Sequence, residues 1–116
     1  VTRNRATAKK AGTAWETAIV GALVAYGWPH AERRRLAGAA DKGDIAGIPG
    51  VVIEAKNTKG YALAEAVDEA NHEAVNASAP IGVAWLKRKG KTDPLAGYVV
   101  MDGATFLRLL GEAGYQ

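Results

Sequence analysis

The sequence predicts an α/β fold, a mixed central β-sheet flanked by helices. Three observations carry that expectation. Apolar residues recur at helical spacing in two stretches of the 116-residue chain, near its start and across 62–77. Short runs rich in Val and Ile, bounded by Gly, Pro and Asp, lie between and after those stretches. The resulting order is helix, hairpin, helix, strand, strand, helix, which suits a sheet with helices packed on it. An apolar fraction of 48% and a charged fraction of 23% are ordinary for one domain with one core.

The elements follow in order. Residues 1–10 lack apolar periodicity and read as a basic flexible arm with Arg3, Arg5, Lys9 and Lys10, leaving one domain over 11–116. From Thr13 to about Tyr26, Trp15, Ile19, Ala22, Leu23 and Tyr26 recur at helical intervals. Thr13 with Glu16 fits a capping box, and Gly27 followed by Pro29 ends the helix. The polar segment 30–42 allows a short strand around Arg33–Leu36 and then a loop.

Ile45–Ala46 and Val51–Asn57 read as a hairpin around Ile48-Pro49-Gly50. Residues 62–77 form a second, alanine-rich helix, with Glu65, Asp68, Glu69 and Glu73 as its solvated face rather than a metal cluster. Ile81–Leu86 is a strand, KRKGKTDP a basic turn, and Gly97–Met101 a further strand. Asp102 can cap a last helix through Leu110, closed by Gly111 or Gly114.

Composition excludes several classes. No apolar run approaches the roughly 18 residues of a membrane span. AIVGALVAYGW is too short and lacks a cleavage-site pattern, so neither signal peptide nor anchor is expected, and the cytoplasm is the default compartment. The absence of cysteine removes disulfides and thiolate zinc sites. No phosphate-cradling glycine loop of the P-loop type occurs, so no nucleotide cofactor is expected.

The net charge of +3 is unevenly spread. Residues 1–42 hold eight Lys/Arg against three Asp/Glu, a net +5, whereas 43–116 hold seven against nine, a net −2. A basic end with the run Arg33-Arg34-Arg35 suits a polyanion, and it equally suits a solvated surface.

The stretch GDIAGIPGVVIEAKNTKG, residues 43–60, carries the chemistry. Alternation puts Val51, Ile53 and Ala55 on one face, and Val52, Glu54 and Lys56 on the other. A pairing symmetric about Pro49 sets Gly47 opposite Val51 and Asp44 opposite Glu54. A two-residue Pro49-Gly50 loop would shift the register by one and move Asp44 to the other face. The longer loop is preferred, because the type II turn favoured by Pro-Gly suits two-residue hairpins poorly.

Two facing carboxylates repel unless one is protonated, a lysine neutralises them or a cation bridges them. Asp44 and Glu54 meet the needs of Mg²⁺, a hard ion held by one or two carboxylates, waters and substrate phosphates. Lys56 beside them could orient or deprotonate a water and offset charge on a phosphate, as metal-assisted phosphodiester hydrolysis requires. The plain alternative is a Glu54–Lys56 ion pair on an exposed strand, with Asp44 as a turn residue.

Asp44 followed by Glu54-Ala55-Lys56 resembles the signature of PD-(D/E)xK nucleases. The pattern is most similar to the small Holliday junction resolvases of archaeal type and phage proteins like them. Glu16 on the first helix, the loop Asp41-Lys42-Gly43-Asp44 and the strand end Glu54-Ala55-Lys56-Asn57-Thr58-Lys59 carry the likeness, which spans about Lys9 to Gly60. Gly43 stands where the family's namesake proline would be, and the Asp44-to-Glu54 spacing is near the short end.

The resemblance implies a restriction-endonuclease-like core of order α-β-β-α-β-β-α. It implies Asp44 and Glu54 as ligands of Mg²⁺, with Mn²⁺ able to substitute, and Lys56 as the catalytic lysine. Glu16 becomes an additional acidic ligand, direct or through water, although the capping box accounts for it equally. It further implies a homodimer making two symmetric cuts in four-way junctions, in the host cytoplasm if phage-encoded. Rival functions are a same-fold nuclease acting on duplex, flap or single-stranded DNA, a non-catalytic nucleic-acid-binding module, and a protein-interaction domain.

Other residues are weighed against this frame. Arg33, Arg34 and Arg35 lead into the loop before Asp44, and Lys42 and Lys59 flank the site in sequence, so all five are candidate DNA contacts. Lys9 and Lys10 of the arm, and Lys87, Arg88 and Lys89 of the basic turn, are candidates too. His30 and His72 lack ligand spacing. Trp15, Trp28 and Trp85 read as core or subunit-contact residues.

Overall fold

A computed structural model describes residues 5–34 and 42–116. The elements run α1 (Arg5–Ala25), β1 (Glu32–Arg33), β2 (Ile45–Ala46), β3 (Val51–Lys56), α2 (Leu63–Asn76), β4 (Ile81–Leu86), a 3-10 turn (Pro94–Ala96), β5 (Tyr98–Val100) and α3 (Gly103–Ala113). The chain is therefore α/β, with a five-stranded mixed sheet in the order β1-β2-β3-β4-β5. β3 and β4 are parallel and are joined by the α2 crossover, and the other neighbours pair antiparallel.

The β2–β3 pairing follows from the turn. Ile45 pairs with Ile53, a register symmetric about Pro49, as the longer loop requires. Val51 N–H donates to Ile48 C=O at 3.2 Å, and Gly50 takes φ 79°. That is the type II geometry Pro-Gly favours, with the positive φ on glycine. A symmetric register keeps even-numbered residues of both strands on one face of the sheet.

The sheet has two unlike coverings. Trp15 and Ile19 of α1 pack with Ile45, Ile53, Ile81 and Val83 into the main buried cluster, which Val51, Ala55 and Trp85 extend. Trp15 Nε1 donates to Trp85 C=O at 3.0 Å, so the buried indole leaves no unmet donor. On the opposite face Ala66, Ala84 and Leu86 form a second cluster under α2. Gly82 lets α2 approach, since a Cβ there would meet Ala70 O at 2.6 Å and Ala74 Cβ at 3.1 Å.

Two expectations about the first helix are corrected. Residues 5–10, expected as part of a flexible arm, are the opening turns of α1. Ala, Arg and Lys are strong helix formers, so the segment extends the helix without contributing to the core. Thr13 is consequently interior, accepting at its C=O from Thr17 Oγ1 at 2.9 Å, and no capping box forms with Glu16. The expected strand around Arg33–Leu36 is the two-residue β1, and Arg35 and Leu36 lie outside the described residues.

The end of the chain folds as its capping residues dictate. The Asp102 carboxylate accepts from Thr105 N–H at 2.7 Å and caps α3. Gly114 closes it in the left-handed conformation, φ 84°. Among the described residues, no helix is long and apolar enough to cross a membrane.

Candidate active site

Asp44 lies where β2 gives way to the preceding loop. Its N–H donates to Ile53 C=O at 3.0 Å, and its Oδ2 accepts from Ala55 N–H at 2.8 Å. The side chain thus serves as an acceptor for β3 where a strand carbonyl would otherwise stand. This aims the carboxyl across β3, within hydrogen-bonding reach of the Glu54 carboxyl. Gly43 next to it adopts φ 94°, and a Cβ there would meet Val52 Cγ1 at 2.7 Å. Proline, fixed near −65°, has no access to that backbone conformation, which accounts for glycine at this position.

Glu54 projects from the centre of β3 towards α2 and is only 5% exposed. The strand is therefore not the exposed one that a plain surface ion pair would need. Its Oε2 is buried without a hydrogen-bond donor, and the groups facing it are carboxyls, Asp44 and Glu73. Burial first, then the Glu54 hydrogen bond and charge, push Asp44 up to about 8. Burial first, then Glu73, push Glu54 up to about 8, an effect the Asp44 hydrogen bond partly relieves. Asp44 and Glu54 thus favour their protonated forms, or a cation close by.

Lys56 is the cation the fold supplies. Its Nζ lies 2.6 Å from Glu69 Oε2 and 3.6 Å from Glu54 Oε1. Burial lowers the ammonium's pKa, but Glu69, Glu54 and Asp44 together outweigh it and raise the group above its ordinary value. Lys56 thus keeps its charge at neutral pH and presents an ammonium donor to the neighbouring carboxylates.

The acids of α2 require a correction. Glu73, expected on the solvated face, is 1% exposed, and Glu69 is engaged by Lys56. Oxygens of Glu54, Glu69 and Glu73 lie within 4.8 Å of one another, close enough to hold a metal ion. The sequence contained a signal for this. Glu65, Glu69 and Glu73 form a column beside Ala66, Ala70 and Ala74, both at four-residue spacing. Only the alanines could be the close-packing stripe, so the adjoining glutamates had to overhang the sheet.

Glu16 stands outside that cluster. Its Oε1 accepts from Arg33 Nε at 2.9 Å, although its charge contributes a small upward push on Asp44. The Glu54–Glu69–Glu73 set suits a hard divalent cation in being all oxygen and partly buried. Asp44 interacts with Glu54 but lies outside the Glu54–Glu69–Glu73 set, so Glu54 is the residue common to both groupings.

The basic residues fall on both sides of this row of carboxyls. Arg34 N–H donates to Asp44 C=O at 2.8 Å, placing Arg33 of β1 and Arg34 after it at the Asp44 end. Arg33 is exposed, while Arg34 Nε is buried without an acceptor, and Arg35 lies outside the described residues. At the other end Lys87 N–H donates to Lys56 C=O at 2.9 Å, so the basic turn begins beside the catalytic lysine candidate. Lys42, Lys59, Arg88 and Lys89 are exposed, as are Lys9 and Lys10 on α1. Comparison with family models, curated proteins and solved structures returns no match for this chain.

Proposed function

We propose that the chain is a metal-dependent, structure-selective DNA endonuclease hydrolysing phosphodiester bonds in branched DNA, as a Holliday junction resolvase does. The observation that carries this reading is the convergence of Asp44 and Glu54 with the Lys56 ammonium, 3.6 Å from Glu54. In this reading Asp44 and Glu54 hold Mg²⁺ or Mn²⁺, with Glu16 in support through its charge. A divalent ion bound there lowers the pKa of a water and polarises a phosphoryl oxygen. Lys56 orients the attacking water by hydrogen bonding and offsets charge building on the phosphate. Glu69 steadies Lys56 from α2.

The basic residues at both ends of the row neutralise flanking phosphates and set the strand's path without reading sequence. Two symmetric cuts in a four-way junction would need two such sites, hence a homodimer, working in the cytoplasm. The test presents labelled four-way junction, flap and linear duplex to the purified chain with Mg²⁺, Mn²⁺ or chelator. Metal-dependent cutting of the junction, lost at least about 100-fold in Asp44→Asn and Lys56→Ala with binding retained, is the expected result. Equal cutting of all three substrates replaces the resolvase by a general nuclease of this architecture. Salt-dependent binding without cleavage under either metal leaves a nucleic-acid-binding module, and no DNA affinity at all leaves neither.

A further inference from the structure

A cavity of about 200 Å³ opens beside the proposed site and shares Lys56 as part of its wall. Thr58, Tyr61, Glu65, Glu69 and Leu86 also line it. An occupant would therefore lie next to the group assigned to the phosphate, on the side away from Asp44.

The Tyr61 ring is held in place. Its hydroxyl donates to Lys87 C=O at 2.9 Å. Tyr98 meets it edge-on, with ring centroids 6.0 Å apart and planes at 77°, and the Arg88 guanidinium stands 5.9 Å from the Tyr98 centroid. Yet Tyr61 remains 43% exposed. An aromatic ring fixed at its tip and edge and open to solvent is a preorganised stacking surface.

The polar lining narrows the occupant. Glu65 and Glu69 bring acceptors, and Lys56 already engages Glu69. Two carboxylates repel a phosphate inside the cavity but accept from an amino group. Positive charge for phosphates follows the lining residues in sequence, on Lys59 after Thr58 and in the turn of Lys87, Arg88 and Lys89, whose first residue accepts from Tyr61. A flat group bearing amino donors, attached to a phosphate chain running outside, satisfies all of these features. That group is a nucleobase.

We propose that this cavity receives one unpaired nucleobase adjoining the cleaved phosphate, stacked on Tyr61 and preferring bases with an exocyclic amine over thymine. The inference rests on the endonuclease reading and deepens it. A paired base inside a duplex cannot enter, whereas a base at a branch point is already partly unstacked, so the cavity supplies a reason for branch selectivity. Carboxylates accept from exocyclic amines such as cytosine N4, which thymine lacks.

The test uses the full chain carrying Asp44→Asn, so binding is read without cutting. Four-way junctions carry 2-aminopurine at the nucleotide flanking the crossover, with the same label inside linear duplex as control. Binding is expected to quench the junction label and leave the duplex label unchanged. Tyr61→Ala is expected to abolish the quench and weaken junction binding about 5- to 100-fold, while Tyr61→Trp retains both. Glu65→Ala is expected to erase the preference for amino-bearing bases over thymine at that nucleotide. Junction binding without any quench, or a Tyr61→Ala variant that quenches and binds like its parent, overturns the base pocket and leaves the endonuclease reading standing. Failure to bind any DNA overturns both.

Discussion

On β3, Val51, Ile53 and Ala55 face α1, while Val52, Glu54 and Lys56 face α2. The parallel partner β4 repeats the division, with Ile81, Val83 and Trp85 on the α1 side and Gly82, Ala84 and Leu86 on the α2 side. The α1 side is filled by branched and aromatic side chains that interlock. The α2 side is built from small residues with carboxyls set among them. One covering is an apolar core, and the other carries buried carboxyls whose protonated forms burial favours. The difference teaches that burial alone does not identify a core, since Glu54 and Ile53 are buried almost equally, 5% and 3% exposed.

Substitutions at these neighbours should separate the two roles. Glu54→Gln is expected to lower metal-dependent cleavage on the order of 100- to 1,000-fold while the melting temperature without metal holds or rises. Ile53→Ala is expected to cost about 2–5 kcal/mol in urea unfolding, with the folded fraction still active. If Glu54→Gln unfolds the chain as Ile53→Ala does, the α2 side is an ordinary core.

The next effect is one of pH. Asp44 and Glu54 are both raised to about 8, so the folded chain binds protons more tightly than the unfolded chain does. Their contribution is fully present below the unfolded carboxyl values near 4 and is lost as pH rises through about 8. The metal-free melting temperature should therefore fall between pH 5 and 9 from these groups, and millimolar Mg²⁺ should flatten the decline. A metal-free protein that gains stability over that interval would remove the carboxyl row as the cause.

Smaller effects probe the support beneath the site. Gly82→Ala forces a methyl group against Ala70 C=O and is expected to cost about 1–3 kcal/mol, with weakened metal binding as α2 is displaced. Glu69→Gln removes the first partner holding Lys56 charged, so the alkaline limb of the cleavage profile should move to lower pH. Its effect on stability should stay within about 1 kcal/mol, because Glu69 is exposed.

Much of this architecture was legible in the residues. Pro49-Gly50 favoured the longer loop without excluding the tight one, and the observed pairing of Ile45 with Ile53 is what keeps Asp44 on the face of Glu54. Ile81–Leu86 could be bounded because Pro80 and the basic turn enclose it. The opening of α1 was not legible, since a helix that buries nothing leaves no periodic trace. Glu73 was missed because an acid on an amphipathic helix ordinarily faces water. Only the narrowness of the alanine stripe, and Gly82 beneath it, betrays how closely α2 approaches.

The strands lie in the sheet in the order in which they leave the chain, interrupted by one crossover helix. Every carboxyl of the buried row, and the lysine beside it, therefore falls between Asp44 and Glu73. A hairpin and the first part of a crossover carry the whole row. Such a unit could assemble early from contacts near in sequence, before the first and last helices and the outer strands dock on it.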